Sequence, residues 1–186
     1  MSRKVIVLTD GDRVAKQVVE QVAKNVGGRA ISLSAGNPTA VSGEEIAQAV
    51  KSAPHDPVLV MVDDCGSKDT GYGERALEEL VQDPDIEIIG AVAVASNTSD
   101  VEGVPVNLSV TRDGQIIDAS VNKDGDPLPN NHIINGDTVD ILNRLKIPII
   151  VGVGDLGKMN DADLVEDGAK ITTMAVNEIL KRSNLH

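Results

Sequence analysis

At 186 residues the chain has the length of one domain with a proper core. It has no Trp and no Phe, and Tyr72 is its only aromatic residue. Packing therefore falls to Val, Ile, Leu and Ala, which suits β-layers covered by helices. The formal net charge of −12 excludes a nucleic-acid backbone or an anionic membrane surface as a direct partner, because both repel such a protein. It suits contact with cations or with a basic protein surface.

Cys65 is the single cysteine, which leaves no internal disulfide and no thiolate zinc cluster. The apolar run behind Arg3 and Lys4 is only four residues long, shorter than a signal peptide needs. No segment approaches the roughly 18 apolar residues of a membrane span. The chain reads as soluble, with any tie to a membrane running through a partner.

In chain order, the first strand is expected at about 4–9 and a helix at about 13–26, with Val14, Val18, Val22 and Val26 at a four-residue step. Gly27-Gly28 stops that helix. A second strand runs from Ala30 to Leu33. The next helix opens at Ser42 with Glu45 three residues on, a capping-box pattern. A third strand at 58–62, a Gly-rich loop at 66–73, a helix at about 73–82 and a fourth strand at 86–95 continue the alternation. Strand and helix alternating in this way predict a parallel sheet.

The pattern then breaks. Val106, Leu108 and Val110 alternate with polar residues, Asp113-Gly114 is a tight-turn dipeptide, and Ile116 to Val121 returns. This predicts a hairpin that extends the sheet edge or projects from it, followed by a polar excursion through 122–135. A helix carrying Val139, Leu142 and Leu145, a strand at 147–153 and a closing helix from Ile171 to Arg182 complete the reading. The expected fold is α/β: a three-layer, Rossmann-like single domain over 1–186 with a mostly parallel sheet and a β-hairpin insertion, the excursion spanning about 104–135.

Three apolar runs stop abruptly at acid. Val5–Leu8 leads to Asp10 and Asp12, Val58–Val62 leads to Asp63 and Asp64, and Ile149–Gly154 leads to Asp155. The carboxyl ends of parallel strands are where α/β proteins build their sites. Five carboxylates on one rim repel unless a cation or proton joins them, and Mg²⁺ or Ca²⁺ takes such hard oxygen ligands. Asp10, Asp12, Asp63, Asp64 and Asp155 are therefore the candidate metal ligands. Asp beside Gly is also ordinary turn and cap chemistry. Ser34, Asn37 and Thr39, in the loop after the second strand, are candidates for cradling an anionic cofactor group, or a turn fixed by Asn37-Pro38. His55, His132 and His186 have no spacing that suggests a metal or a triad, and acid beside Cys65 works against a reactive thiolate.

Asp10-Gly-Asp12 resembles the first motif of haloacid-dehalogenase phosphohydrolases, with Ser96 as a phosphate-holding hydroxyl and Gly154-Asp155 with Asp161 as the late acidic pair. That resemblance implies a Mg²⁺-dependent phosphohydrolase. Arg13-Val14 departs from the motif, Asp161 lies too far on, and the lysine of that chemistry has no clear counterpart. Toprim domains pair a Glu with Asp-x-Asp; here Asp10 stands in place of the Glu, and Asp63 and Asp64 are adjacent.

The segments taken in order are more specific than any one motif. They are Thr9-Asp10-Gly-Asp12, Ser34-Ala-Gly-Asn-Pro-Thr39, Ser42-Gly-Glu-Glu45, Met61-Val-Asp-Asp64, Gly71-Tyr-Gly-Glu74, Ile134-Asn-Gly-Asp-Thr-Val139 and Pro148-Ile-Ile-Val-Gly-Val-Gly-Asp155-Leu-Gly-Lys-Met159. Together they resemble the soluble stage V sporulation protein AE family of spore-forming bacteria, from about residue 3 to 182. The resemblance implies a soluble accessory protein of sporulation, without defined catalysis. It would assist movement of dipicolinic acid, as its calcium chelate, into the spore and out at germination. It also implies the other stage V A proteins at the spore inner membrane as partners and a place in the spore or forespore. Dipicolinate or a divalent cation is a possible ligand and a homo-oligomer a possible state. It carries no catalytic residues.

Overall fold

The computed structural model describes residues 1–66, 71–98 and 101–184. Residues 67–70 of the Gly-rich loop and His186 lie outside the described residues. The strands are β1 (Arg3–Leu8), β2 (Arg29–Ala30), β3 (Val58–Met61), β4 (Ile86–Val94), β5 (Val104–Pro105), β6 (Leu108–Val110), β7 (Ile116–Ile117), β8 (Ser120–Val121), β9 (Pro127–Leu128), β10 (Ile133–Ile134) and β11 (Ile150–Val153). The helices are α1 (Arg13–Asn25), α2 (Gly43–Lys51), α3 (Tyr72–Gln82), α4 (Ile141–Arg144) and α5 (Lys170–Arg182).

Seven strands form one sheet in the order β2-β3-β1-β4-β11-β6-β7. All neighbours are parallel except β6 and β7. β1 lies inside, with Val7 opposite Val60 on one side and Ala91 on the other. Strands buried on both faces read as continuous apolar runs, which is why Val5 to Leu8 carries no polar residue. Ile6 and Leu8 pack with α1 and α5, while Val5 and Val7 pack with α2, α3 and α4. The fold is thus three-layered α/β and Rossmann-like, as the alternation predicts.

The helices form where their local signals stand. Ser42 and Glu45 make a full capping box at α2. Asp12 caps α1, its side chain accepting from the Ala15 N–H at 2.8 Å. Lys181 and Arg182 occupy the last turn of α5, where they complement the helix dipole.

Several expected elements are shorter than the sequence suggests: the strand expected at 147–153 spans Ile150–Val153, and of Ile116 to Val121 only Ile116–Ile117 pairs in the hairpin. The second strand pairs only over Arg29–Ala30, and residues Ser32–Ser34 wind into a 3₁₀ turn. The Ser34 hydroxyl bonds back to the Ile31 carbonyl at 2.7 Å and accepts the Met61 N–H at 2.9 Å, ending the strand by local competition with the ladder. The helix expected near Asp137 is the single turn of α4. Thr138 before it has φ +62°, a left-handed residue that no α-helix accommodates. The hairpin is present, with Val110 opposite Ile116 and Gly114 left-handed at φ +75°. It extends the sheet edge, since β6 runs parallel to β11. The excursion contains two small antiparallel pairs, β8 with β9 and β5 with β10.

Leu59 is fully buried against α1. We expect Leu59→Ala to lower unfolding free energy by about 2–5 kcal/mol, read by urea denaturation.

Candidate functional site

The connection after β1 passes to α1 on one face, and those after β3 and β4 pass to α3 and to β5, whose Val104 packs in the core, on the other. Adjacent strands whose connections leave in opposite directions open a crevice at their carboxyl ends. A cleft of about 420 Å³ lies there. Asp10 and Asp12 reach it from β1, Asp63 from β3, Ser96 from β4 and Asp155 and Lys158 from β11, with Asn37, Lys123 and Asp137 completing its wall. Four of the five predicted carboxylates therefore share one cleft.

Asp64 does not line it. Its Oδ1 accepts the N–H groups of Gly73 at 2.7 Å and Glu74 at 3.2 Å, tying down the first turn of α3. A Cβ on Gly71 would stand 2.0 Å from that oxygen, and one on Gly73 would stand 2.6 Å from the Asp63 nitrogen. These two glycines are needed by the close approach of the backbone. Ser34 and Thr39 are buried. The Thr39 Oγ1 accepts the Asp63 N–H at 2.9 Å. Of the predicted anion cradle only Asn37 lines the cleft; the two hydroxyls serve the scaffold.

The cleft carboxylates are mostly engaged by the protein itself. Asp63 accepts the Gly11 N–H on Oδ2 at 3.1 Å and the Cys65 N–H on Oδ1 at 2.9 Å. Asp12 is committed to α1, and Asp137 Oδ2 accepts the Gly66 N–H. Asp155 pairs with Lys158 at 2.9 Å, and the same amine stands 3.6 Å from Asp12. Among the described residues no group of three or more His, Cys, Asp or Glu side chains is arranged to hold a metal ion. The acids share a cleft without converging on one point.

Asp10 is the least engaged. Its Oδ1 accepts the Asp12 N–H at 3.2 Å. Burial, then the charges of Asp12, Asp63 and Asp155, push its carboxyl up to about 7. Burial also raises Asp63, to about 6, with the Cys65 and Gly11 N–H bonds opposing and Asp137 and Asp64 reinforcing the rise. Burial raises Asp64 and Glu74 as well. For Lys158, burial works against the charge, but the Asp155 hydrogen bond and the surrounding acids outweigh it and hold the amine above its ordinary value.

Sequence reasoning missed Asp137 and Lys123. Lys123 comes from the polar excursion after the fourth strand and Asp137 from just beyond its end, and neither position carries a strand-end signal. It also weighed Asp161 in the late loop, where the buried carboxylate is Asp163.

The sequence profile of the stage V sporulation protein AE1 family matches residues 4–183. The chain belongs to that family. No curated protein and no solved structure matches it. In this stage V sporulation protein AE1 family member, the profile covers every strand of the sheet except the first residue of β1, and so takes in the whole cleft. Family membership gives a role in sporulation. No helix among the described residues is long and apolar enough to cross a membrane.

The sign of the Asp10 shift sets a pH dependence. A carboxyl raised from 3.8 to about 7 in the fold favours the neutral form there, so ionising it costs stability. The cost is absent below about pH 4, grows as pH rises and is complete above about pH 7. We expect Asp10→Asn to raise stability at pH 8 by about 1–3 kcal/mol, discounted for its solvent contact, with little change at pH 4. Thermal unfolding at both values reads it.

Proposed function

We propose that the protein is a non-catalytic accessory subunit of the sporulation stage V A system, assisting movement of dipicolinic acid, as its calcium chelate, into the spore and out again at germination. The observation that carries this reading is the family match over residues 4–183. The chemistry of the cleft supports it from the other side. Asp63 and Asp64 spend their oxygens on backbone N–H groups, Asp12 caps a helix and Asp155 is paired with a lysine. Carboxylates used this way organise loops, whereas a phosphohydrolase needs them free for metal and for the reacting phosphate.

An accessory subunit works through its partners. The other stage V A proteins at the spore inner membrane are the partners we assign, with this chain peripheral to that membrane in the forespore. The net charge of −12 favours a basic surface on the partner. Dipicolinate alone carries two carboxylates and is repelled by the acidic cleft; its calcium chelate is the form compatible with it.

Deletion of the gene tests the reading. We expect mutant spores to hold less dipicolinate or to release it more slowly at germination, with restoration by the intact gene. Unchanged content together with unchanged release would overturn it.

A further inference from the structure

Among the described residues, the loop between β11 and α5 is strained in a way that none of the other connections is. Met159, Asn160 and Asp161 are three successive left-handed residues, at φ +50°, +52° and +67°. L-residues visit that region singly, because Cβ crowds the following carbonyl oxygen; Asn and Asp tolerate it best. Met159 has no such excuse. It is 1 % exposed, and its side chain lies close against Gly154 and Gly125, where added Cβ atoms would stand 2.7 Å from its Cγ and 3.1 Å from its Sδ. Such a conformation persists only where the surroundings over-determine it.

Three contacts do so. Met159 is a buried apolar anchor. Gly157, at φ +72°, presses on α1 so closely that a Cβ would meet Val14 at 2.6 Å and Val18 at 2.8 Å. The third is Asp163, whose side chain is fully buried. Its Oδ2 accepts the Gly157 N–H at 3.0 Å and the Thr172 hydroxyl at 2.7 Å, and its Oδ1 accepts the Thr172 N–H at 2.9 Å. One carboxylate thus joins the start of the loop to the first turn of α5, where the partial positive charge of a helix N-terminus favours it. Lys158, the residue between Gly157 and the strained turn, carries the amine paired with Asp155 and Asp12.

We propose that residues 157–163 are a strap latched by Asp163, and that unlatching moves Lys158 off the cleft as one piece with the left-handed turn. The two states differ in the charge of the cleft. Latched, the Lys158 amine pairs with Asp155 at 2.9 Å and stands 3.6 Å from Asp12, offsetting one of their two negative charges. Unlatched, those carboxylates and Asp10 face a cleft whose wall keeps Lys123 but has lost the Lys158 amine. Asp163 is a positioning residue here, acting on the cleft through Lys158, and the strain of the turn favours release once the latch is lost.

Hydrogen exchange and lysine acylation, both read by mass spectrometry on the full chain, test the strap without reference to sporulation. In Asp163→Ala we expect amides of 156–163 to exchange at least tenfold faster, and Lys158 to be acylated severalfold faster. Amides of 5–8 and 91–94, and acylation of Lys16, should keep wild-type rates. A segment that exchanges at the wild-type rate, one that accelerates only in step with the core strands, or unchanged Lys158 acylation would each overturn the proposal. Where Asp163→Ala does not fold, Thr172→Val removes one latch bond at constant shape. It must then accelerate both readouts severalfold, and wild-type rates in that variant overturn the strap.

Discussion

The carboxylate of Asp63 holds the working end of this molecule together. One oxygen takes the Gly11 N–H from the loop after β1, and the other takes the Cys65 N–H of its own loop. Its backbone meanwhile exchanges two bonds with Thr39, donating N–H to the hydroxyl and accepting the Thr39 N–H at 2.9 Å. The Gly11 carbonyl closes the circle by accepting the Gly36 N–H at 2.7 Å. Three connections that leave the sheet in different directions become one rim. A buried carboxylate is costly to hold, and backbone N–H groups are the donors that make it tolerable. Without that set of bonds the cleft would have walls but no fixed shape.

The same logic explains why acid collects at this end of the sheet. α1, α3 and α5 all begin there, each exposing N–H groups and partial positive charge. Asp12 caps α1, Asp64 serves the first turn of α3, and Asp163 serves the first turn of α5. These acids are largely the counterparts of helix ends. Asp10 differs, because its one bond of this kind, from Asp12 at 3.2 Å, leaves it dominated by burial and by its acidic neighbours.

Much of this was legible in the chain itself. Apolar runs such as Val5–Leu8 and Val58–Val62 announced buried parallel strands, because a strand covered on both faces has no room for a polar residue. Ser42 with Glu45, and Asp113 with Gly114, announced a helix start and a turn through chemistry confined to a few neighbouring residues. The rim was legible as five carboxylates at strand ends. Their separate duties were not, since whether Asp64 turns toward α3 or toward the cleft depends on where Gly71 and Gly73 bring the backbone. The second strand and the helix near Asp137 were read too long for a related reason. The Ser34 hydroxyl accepts the Met61 N–H, and the Oγ1 of the left-handed Thr138 accepts the Asp64 N–H at 3.0 Å.

The sequence by itself determined the layers, the run of elements and the family, all of which follow from local periodicity and from the order of short segments. Tertiary structure alone decided which acids meet and what each is bonded to. It placed Lys123, from the polar excursion, and Asp137, from just beyond it, in the cleft. It also put the buried carboxylate of the late loop at Asp163, where sequence reasoning singled out Asp161. The physical reason is that a carboxylate's role is set by the donors within about 3 Å of it, and at this rim the donors that tie separate connections together, Gly11 to Asp63 and Gly66 to Asp137, lie 52 and 71 residues away along the chain.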